Sequence, residues 1–339
     1  MLIMIGGLAL FLYGMHLMGE GLSGMSGGRL ERILGRFTDS PVKAVFMGAG
    51  VTAVIQSSSA ATVMVVGLVD SGILRLEQAA GIIMGANIGT TVTSWILALS
   101  GLEPDTLLLR ILQPTYFSSI SGLAGVLLLS MGNKGNGKKR KNGKKYKNAA
   151  SVLLGFSVLI FGMDTMSGAV SPLASSPEFT GLFAAFSHPL WGFLAGIAVT
   201  AVLQSSSASV GILQALCAAG AVSYRAAIPI IMGQNIGTCA TAMLSAVGAG
   251  RNAKRAALIH LYFNLIGTAL FMAVFYAVHA VTPFAFLERA ADGVGIALIH
   301  SVFNIAATIA LLPFSGELVG LACLTTGGGR KSADYPLIS

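Results

Sequence analysis

Hydrophobic residues in this chain come in long unbroken runs rather than in alternation. Apolar stretches of about 20 residues or more, long enough at 1.5 Å per residue to cross a bilayer, extend over residues 2–25, 78–100, 106–131, 149–171, 226–249, 256–281 and 293–313. These predict seven transmembrane helices. Two further stretches, 41–72 and 189–220, are apolar at both ends and polar in the middle, at Gln56-Ser57-Ser58-Ser59 and Gln204-Ser205-Ser206-Ser207. Each half, only 16 residues long, barely reaches across the hydrocarbon. A Gln-Ser-Ser-Ser run facing lipid would leave polar groups unsatisfied. Each stretch is therefore expected to be a re-entrant helical hairpin with its polar tip inside the protein. The first stretch lacks a basic leader and runs into further spans, so it is expected to remain as a helix rather than be cleaved.

Composition agrees with a membrane class: 54% of the 339 residues are hydrophobic and 10% charged, against about 25% charged in soluble domains. The net charge of +8 does not indicate nucleic acid, because its distribution is topological. With the N-terminus outside, Arg29, Arg32, Arg36, Lys43, Arg75, the eight basic residues between Lys134 and Lys147, Arg251, Lys254, Arg255, Arg330 and Lys331 all fall inside. Only Arg110, Arg225 and Arg289 fall outside, so the positive-inside rule predicts N-out, C-in. The Gly, Asn and Lys-rich segment 132–148 is expected to be a flexible basic cytoplasmic linker. Cys217, Cys239 and Cys323 have neither disulfide-framework nor zinc spacing and are expected to be buried thiols.

Sliding the chain on itself by 148 residues aligns it without a gap from Gly14 with Gly162 to Thr93 with Thr241. VTAVIQSSSA at 51–60 meets VTAVLQSSSA at 199–208 with nine identities in ten, and MGANIGTTVT at 84–93 meets MGQNIGTCAT at 232–241 with seven. Pro41 meets Pro189, and Gly72 meets Gly220. Three crossings in the first copy force the second to insert upside down. The expected fold is an all-α polytopic membrane protein of two inverted-topology repeats, each with a re-entrant helical hairpin bearing QSSS. Repeat 1 covers 1–131 (hairpin 41–72), the linker 132–148, repeat 2 149–313 (hairpin 189–220), and a cytoplasmic tail 314–339.

Duplicated QSSS motifs, each followed about thirty residues later by G-x-N-I-G-T, resemble the type II sodium-dependent phosphate cotransporter family and its bacterial members. The resemblance covers residues 10–313 and implies sodium-coupled phosphate uptake across the plasma membrane. Many bacterial relatives append a PhoU-type helical domain. This sequence ends soon after Lys331, so regulation through such a domain is expected to be absent or to come from another chain. The electrogenic animal members carry an aspartate in a segment that here reads Gln113-Pro-Thr-Tyr-Phe117, which puts an additional sodium site in question.

Neither motif contains Arg or Lys, so the phosphate charge needs another partner. Serines are preferred helix N-caps, and a break at Gln56-Ser57 would start a half-helix whose orphan N–H groups and positive dipole end face the site. The copy at Gln204-Ser205 would supply its opposite. The expected phosphate ligands are Ser57, Ser58, Ser205, Ser206, Gln56 and Gln204. Sodium prefers oxygen, and the candidates are Ser59, Ser207, Asn87, Thr90, Thr91, Gln234, Asn235 and Thr238. No cofactor is expected beyond co-transported sodium, and no other metal. The partners are inorganic phosphate, sodium ions and the lipid bilayer; the oligomeric state is open, a homodimer among the options.

His260 and His300 open two similar segments, H-L-Y-F-N and H-S-V-F-N, and are expected to bond between helices, with a proton-accepting role as the sharper option. His16 and Asp164 occupy equivalent positions and are suspects for a cross-repeat pair. Two rival readings compete with phosphate symport. An intramembrane serine hydrolase would need one activated serine beside a base, whereas the serines come as matched triplets without G-x-S-x-G. A sodium-coupled symporter for arsenate, sulfate or a carboxylate would share the same architecture.

Overall fold

The structure is a computed structural model that describes residues 2–26, 38, 40–100, 114–133, 139–170 and 188–327. These residues are helical almost throughout. In chain order the helices are α1 (Leu2–Ser26), α2 (Pro41–Ile55), α3 (Ser58–Asp70), α4 (Leu76–Ser100), α5 (Pro114–Asn133), α6 (Lys139–Val170), α7 (Pro189–Leu203), α8 (Ser206–Ala218), α9 (Tyr224–Gly237), α10 (Cys239–Ser245), α11 (Arg251–Val281), α12 (Gly293–Leu311) and α13 (Ser315–Thr325). Short 3-10 turns at Ala285–Glu288 and Leu312–Phe314 link the last three.

Among the described residues six segments are long and apolar enough to cross a membrane: Leu2–Leu22, Leu76–Leu99, Gly143–Met166, Tyr224–Ser245, Arg251–Val281 and Gly293–Thr325. The seventh expected crossing, 106–131, lies partly outside the described residues and is seen only from Pro114 onward, as α5. The stretch 226–249 is two helices, α9 and α10, parted at Thr238. There the Thr238 hydroxyl bonds back to the Gln234 carbonyl at 2.9 Å, a local competitor to the helical ladder.

Two expectations need correcting. The segment 132–148 is not a flexible tether throughout, because α6 begins at Lys139 and continues without interruption into the apolar helix behind it. Lys and Arg are good helix formers, and an existing helix extends at one hydrogen bond per residue without a new nucleus. Nor is 314–339 simply a tail. α13 buries Leu318, Val319, Ala322 and Cys323, and Val319, Ala322 and Cys323 join Ala253, Ala256 and Ile259 of α11 in one apolar cluster.

Each QSSS stretch forms a pair of helices of 15 and 13 residues joined by two residues. Pro41 and Pro189 open the first arms, where their missing N–H costs nothing. Gln56 (φ 59°) and Gln204 (φ 53°) end them in the left-handed region, as the only non-glycine residues with positive φ among those described. Ser57 and Ser205 then adopt extended backbone and cap the second arms, accepting from Ala60 N at 3.1 Å and Ala208 N at 3.2 Å.

Small residues fix how the arms lie. Gly85 of α4 abuts the Val45 carbonyl of α2, and Gly89 abuts that of Ala49, so α2 and α4 run in the same direction. α3, which connects them in the chain, must therefore run back the other way. Gly233 against Phe193 and Gly237 against Ile197 repeat the arrangement for α7 and α9. Helices α1 and α6 pack backbone to backbone. Gly14 meets Gly155 and Gly7 meets Gly162, each leaving no room for a Cβ. Numbers that fall on one helix as they rise on the other make this pair antiparallel.

Candidate functional site

The two helix breaks meet at their serines. Ser58 Oγ lies 3.4 Å from Ser206 Oγ, and the Ser59 hydroxyl donates to the Gln204 carbonyl at 3.0 Å. A cavity of about 350 Å³ opens beside this pair, lined by Leu12, Met15, His16, Gly19 and Glu20 of α1, by Ile55, Gln56, Ser57 and Ala60 at the first break, and by Ser205 at the second. Capping serines from both breaks therefore share one open space. Each heads a 13-residue helix whose first N–H groups carry partial positive charge.

The two glutamines differ. Gln56 is buried; its Oε1 accepts from Thr93 Oγ1 at 2.9 Å, and its amide nitrogen donates to the Ala53 carbonyl. Gln204 is exposed, and Thr241 Oγ1, the counterpart of Thr93, donates instead to the Gln204 backbone carbonyl at 3.4 Å. Copy 1 thus anchors a side chain where copy 2 anchors a carbonyl.

Of the sodium candidates, Asn87 donates to Asn264 Oδ1 at 2.6 Å, tying α4 to α11, and Asn235 donates to the Ile231 carbonyl at 3.0 Å. Thr90, Thr91 and Thr238 each donate to a carbonyl of the preceding turn. That disposition spends their protons internally and leaves their oxygen lone pairs available to a cation. Ser206 and Ser207 are buried at the start of α8. Gln234 is placed elsewhere: with Ser209 it lines a mostly apolar pocket of about 160 Å³ between α7, α8 and α9, and its Oε1 has no hydrogen-bond partner among the described residues.

The histidines also part ways. His300 Nδ1 lies 3.0 Å from Ser94 Oγ and so links α12 to α4. Neither ring nitrogen of buried His260 has a partner among the described residues; its backbone carbonyl accepts from Asn264. His16 stands 3.2 Å from Glu20 on its own helix. Reasoning from the sequence missed Thr93, Thr241, Asn264 and Glu20. The threonines had a signal, since each lies 37 residues after its glutamine in both copies.

The family model described as Na+/Pi-cotransporter matches the chain twice, over residues 10–168 and 158–300. The chain belongs to the Na+/Pi-cotransporter family. As a family member it is a helical membrane transporter of phosphate and not an enzyme, so the serine triplets need no catalytic base. The uncharacterized protein YqeW of Bacillus subtilis (strain 168) is 30% identical over 93% of this chain and 95% of its own length. YjbB of Escherichia coli O157:H7, provisionally named an inorganic phosphate export protein, is 27% identical over 92% of this chain and 53% of its own. The human sodium-dependent phosphate transport protein 2B is 34% identical over 38% of this chain and 20% of its own. The chain thus spans about half of the E. coli relative and a fifth of the human one. No solved structure matches it.

Proposed function

We propose that this family member is a sodium-coupled phosphate symporter that imports phosphate by alternating access. The observation that carries the reading is the shared cavity, where Ser57 and Ser205 each cap a 13-residue helix and Ser58 meets Ser206. Phosphate sits there on helix-end N–H groups and on the hydroxyls of Ser57, Ser58, Ser205 and Ser206, with Gln56 and Gln204 at the rims. Among the described residues no lysine or arginine lines the cavity. Dipoles and hydroxyls neutralise a dianion only in part, so binding is favourable when sodium sits alongside. Oxygens of Ser59, Ser207, Asn87, Thr90, Thr91, Asn235 and Thr238 supply the cation sites, with Gln234 as an outlying candidate. No cofactor enters.

An inverted repeat is supported by the antiparallel packing of α1 on α6, which are equivalent helices in the 148-residue alignment. Re-entrant hairpins are supported by the parallel course of α2 and α4 and of α7 and α9. The distribution of basic residues supports an N-terminus outside and a C-terminus on the cytoplasmic side of the plasma membrane. The boundaries of repeat 1, linker and repeat 2 follow the alignment. The name of the E. coli relative favours a second reading, export, in which the same site runs outward. Phosphate flux in proteoliposomes under an imposed sodium gradient decides between them. Import predicts accumulation driven by inward sodium. Flux indifferent to sodium overturns cotransport, and loss of preloaded phosphate while the sodium gradient is inward favours export.

A further inference from the structure

Among the described residues the cavity contains one acid–base pair, His16 and Glu20, and neither belongs to the ligand sets above. The pair lies within the apolar span Leu2–Leu22, yet its side chains are 69% and 64% exposed. A carboxylate in such a span is tolerated where it faces an aqueous cavity rather than lipid. Helix stability does not explain it: on an isolated helix the favourable order puts the acid N-terminal to the base, and here the base comes first. The fold does not require it either. The 148-residue alignment sets Asp164 and Gly168 at the equivalent positions, and a Cβ on Gly168 would meet open space. The pair is an addition to one copy, at the site.

A carboxylate at the rim of an anion site opposes the anion unless a cation lies between them. We propose that Glu20 is a ligand for a co-transported sodium ion, and that His16 is its partner in the sodium-free state. When sodium takes the Glu20 carboxylate, the imidazole is released and turns an N–H toward the phosphate held at Ser57 and Ser205. Sodium thereby removes one repulsive group from the phosphate and delivers one donor to it, which makes phosphate binding conditional on the cation. Among the described residues that line the cavity, His16 and Glu20 are the only titratable ones. The inference rests on the cavity being the phosphate site.

The test uses the full chain, wild type, Glu20→Gln and His16→Gln, with sodium chloride and inorganic phosphate as probes. In proteoliposomes, Glu20→Gln is expected to show a shallower sodium dependence and, at low sodium, a phosphate KM below the wild-type value, because the carboxylate that opposes the anion is gone. His16→Gln is expected to raise the phosphate KM while keeping the wild-type sodium dependence. In detergent without phosphate, sodium should raise the melting temperature of wild type and His16→Gln, and by less that of Glu20→Gln, which keeps the other cation ligands. A wild-type sodium dependence and melting shift in Glu20→Gln overturn the proposal. Should that variant not fold, Glu20→Asp keeps the charge but withdraws it by one methylene and is expected to need several-fold more sodium; unchanged sodium affinity then overturns it. The parallel variants Ser57→Ala and Ser205→Ala separate the two readings. If they transport normally, the cavity assignment itself fails, whereas if they fail and Glu20→Gln does not, only the role of Glu20 falls.

Discussion

Ser58 and Ser206, 148 residues apart in the chain, hold their hydroxyl oxygens 3.4 Å apart in the interior. They are the same residue of the two sequence copies, so each copy brings its own helix break to one place. A ligand bound there meets equivalent groups from both sides, and motion of either copy changes the site. That is the arrangement alternating access needs.

Alanine at Ser57 or Ser205 is expected to weaken phosphate binding about ten- to a hundredfold each, from the roughly 1.5–3 kcal/mol of a hydrogen bond to a charged group. The double variant should transport nothing measurable. Each serine also caps a helix, at a cost of about 1 kcal/mol when removed, so Ser57→Thr, which keeps both hydroxyl and cap, is the matched control. Uptake at the wild-type level in the double alanine variant would remove the serines from the site.

Gln56 and Gln204 should respond differently to glycine. Glycine adopts the left-handed conformation freely, so backbone geometry is preserved at both positions. Gln56→Gly deletes the acceptor of Thr93 Oγ1 and leaves that hydroxyl unpaired in the interior, worth about 1–3 kcal/mol. Gln204→Gly keeps the carbonyl that Ser59 and Thr241 use. Thermal melts should therefore show the larger loss for Gln56→Gly, with Thr93→Val resembling it. Equal losses would mean the asymmetry of the two breaks carries no energy.

Gly14→Ala and Gly155→Ala should each destabilise the protein by at least the roughly 1–3 kcal/mol typical of overpacking, because a Cβ at either place overlaps backbone of the facing helix. Gly6→Ala, whose Cβ would meet nothing within 4 Å, is the control. A melting temperature unchanged in Gly14→Ala would argue against the α1–α6 packing.

The breaks were legible because each copy sets a polar Gln-Ser-Ser-Ser run in the middle of an apolar stretch, and serine is a preferred helix cap. The left-handed glutamines were not, since glycine is the usual residue in that conformation and the sequence puts none there. Charge misled at Lys139–Lys147, where a run of like charges reads as solvated coil but rides on an apolar helix that has already nucleated. The packing of α13 was hidden because its apolar residues are too few to suggest a span. The asymmetry of the cavity was least visible. The repeat draws attention to what the copies share, and Glu20 matters through what its counterpart, Gly168, lacks.

Topology can be read with introduced cysteines, because Cys217, Cys239 and Cys323 are all buried and contribute little background. Lys144→Cys should react with membrane-impermeant thiol reagents from the cytoplasmic side alone, and Arg289→Cys from the outside alone. Both positions are exposed. Labelling with the sides exchanged would reverse the orientation and the direction assigned to sodium-driven flux.

The stoichiometry expected of this chain is two sodium ions for each divalent phosphate, with transport close to electroneutral. No aspartate stands between Gln113 and Phe117, where the electrogenic members that the chain resembles place one. Glu20 is a fixed carboxylate of the protein, so its own charge does not alter the number of charges carried by the substrates. Two cations then balance the dianion. A third sodium would add a net charge worth about 2.3 kcal/mol per 100 mV, and accumulation would climb steeply with membrane potential. With two, the driving force is chemical. Each tenfold sodium gradient contributes about 1.4 kcal/mol per ion, so two ions support roughly a hundredfold accumulation of phosphate. Uptake measured at a fixed sodium gradient, at a pH where divalent phosphate predominates and with a potassium–valinomycin potential varied across the vesicles, checks this. The expected rate and final level are flat against potential; a marked rise when the interior is made negative means that a further cation is carried.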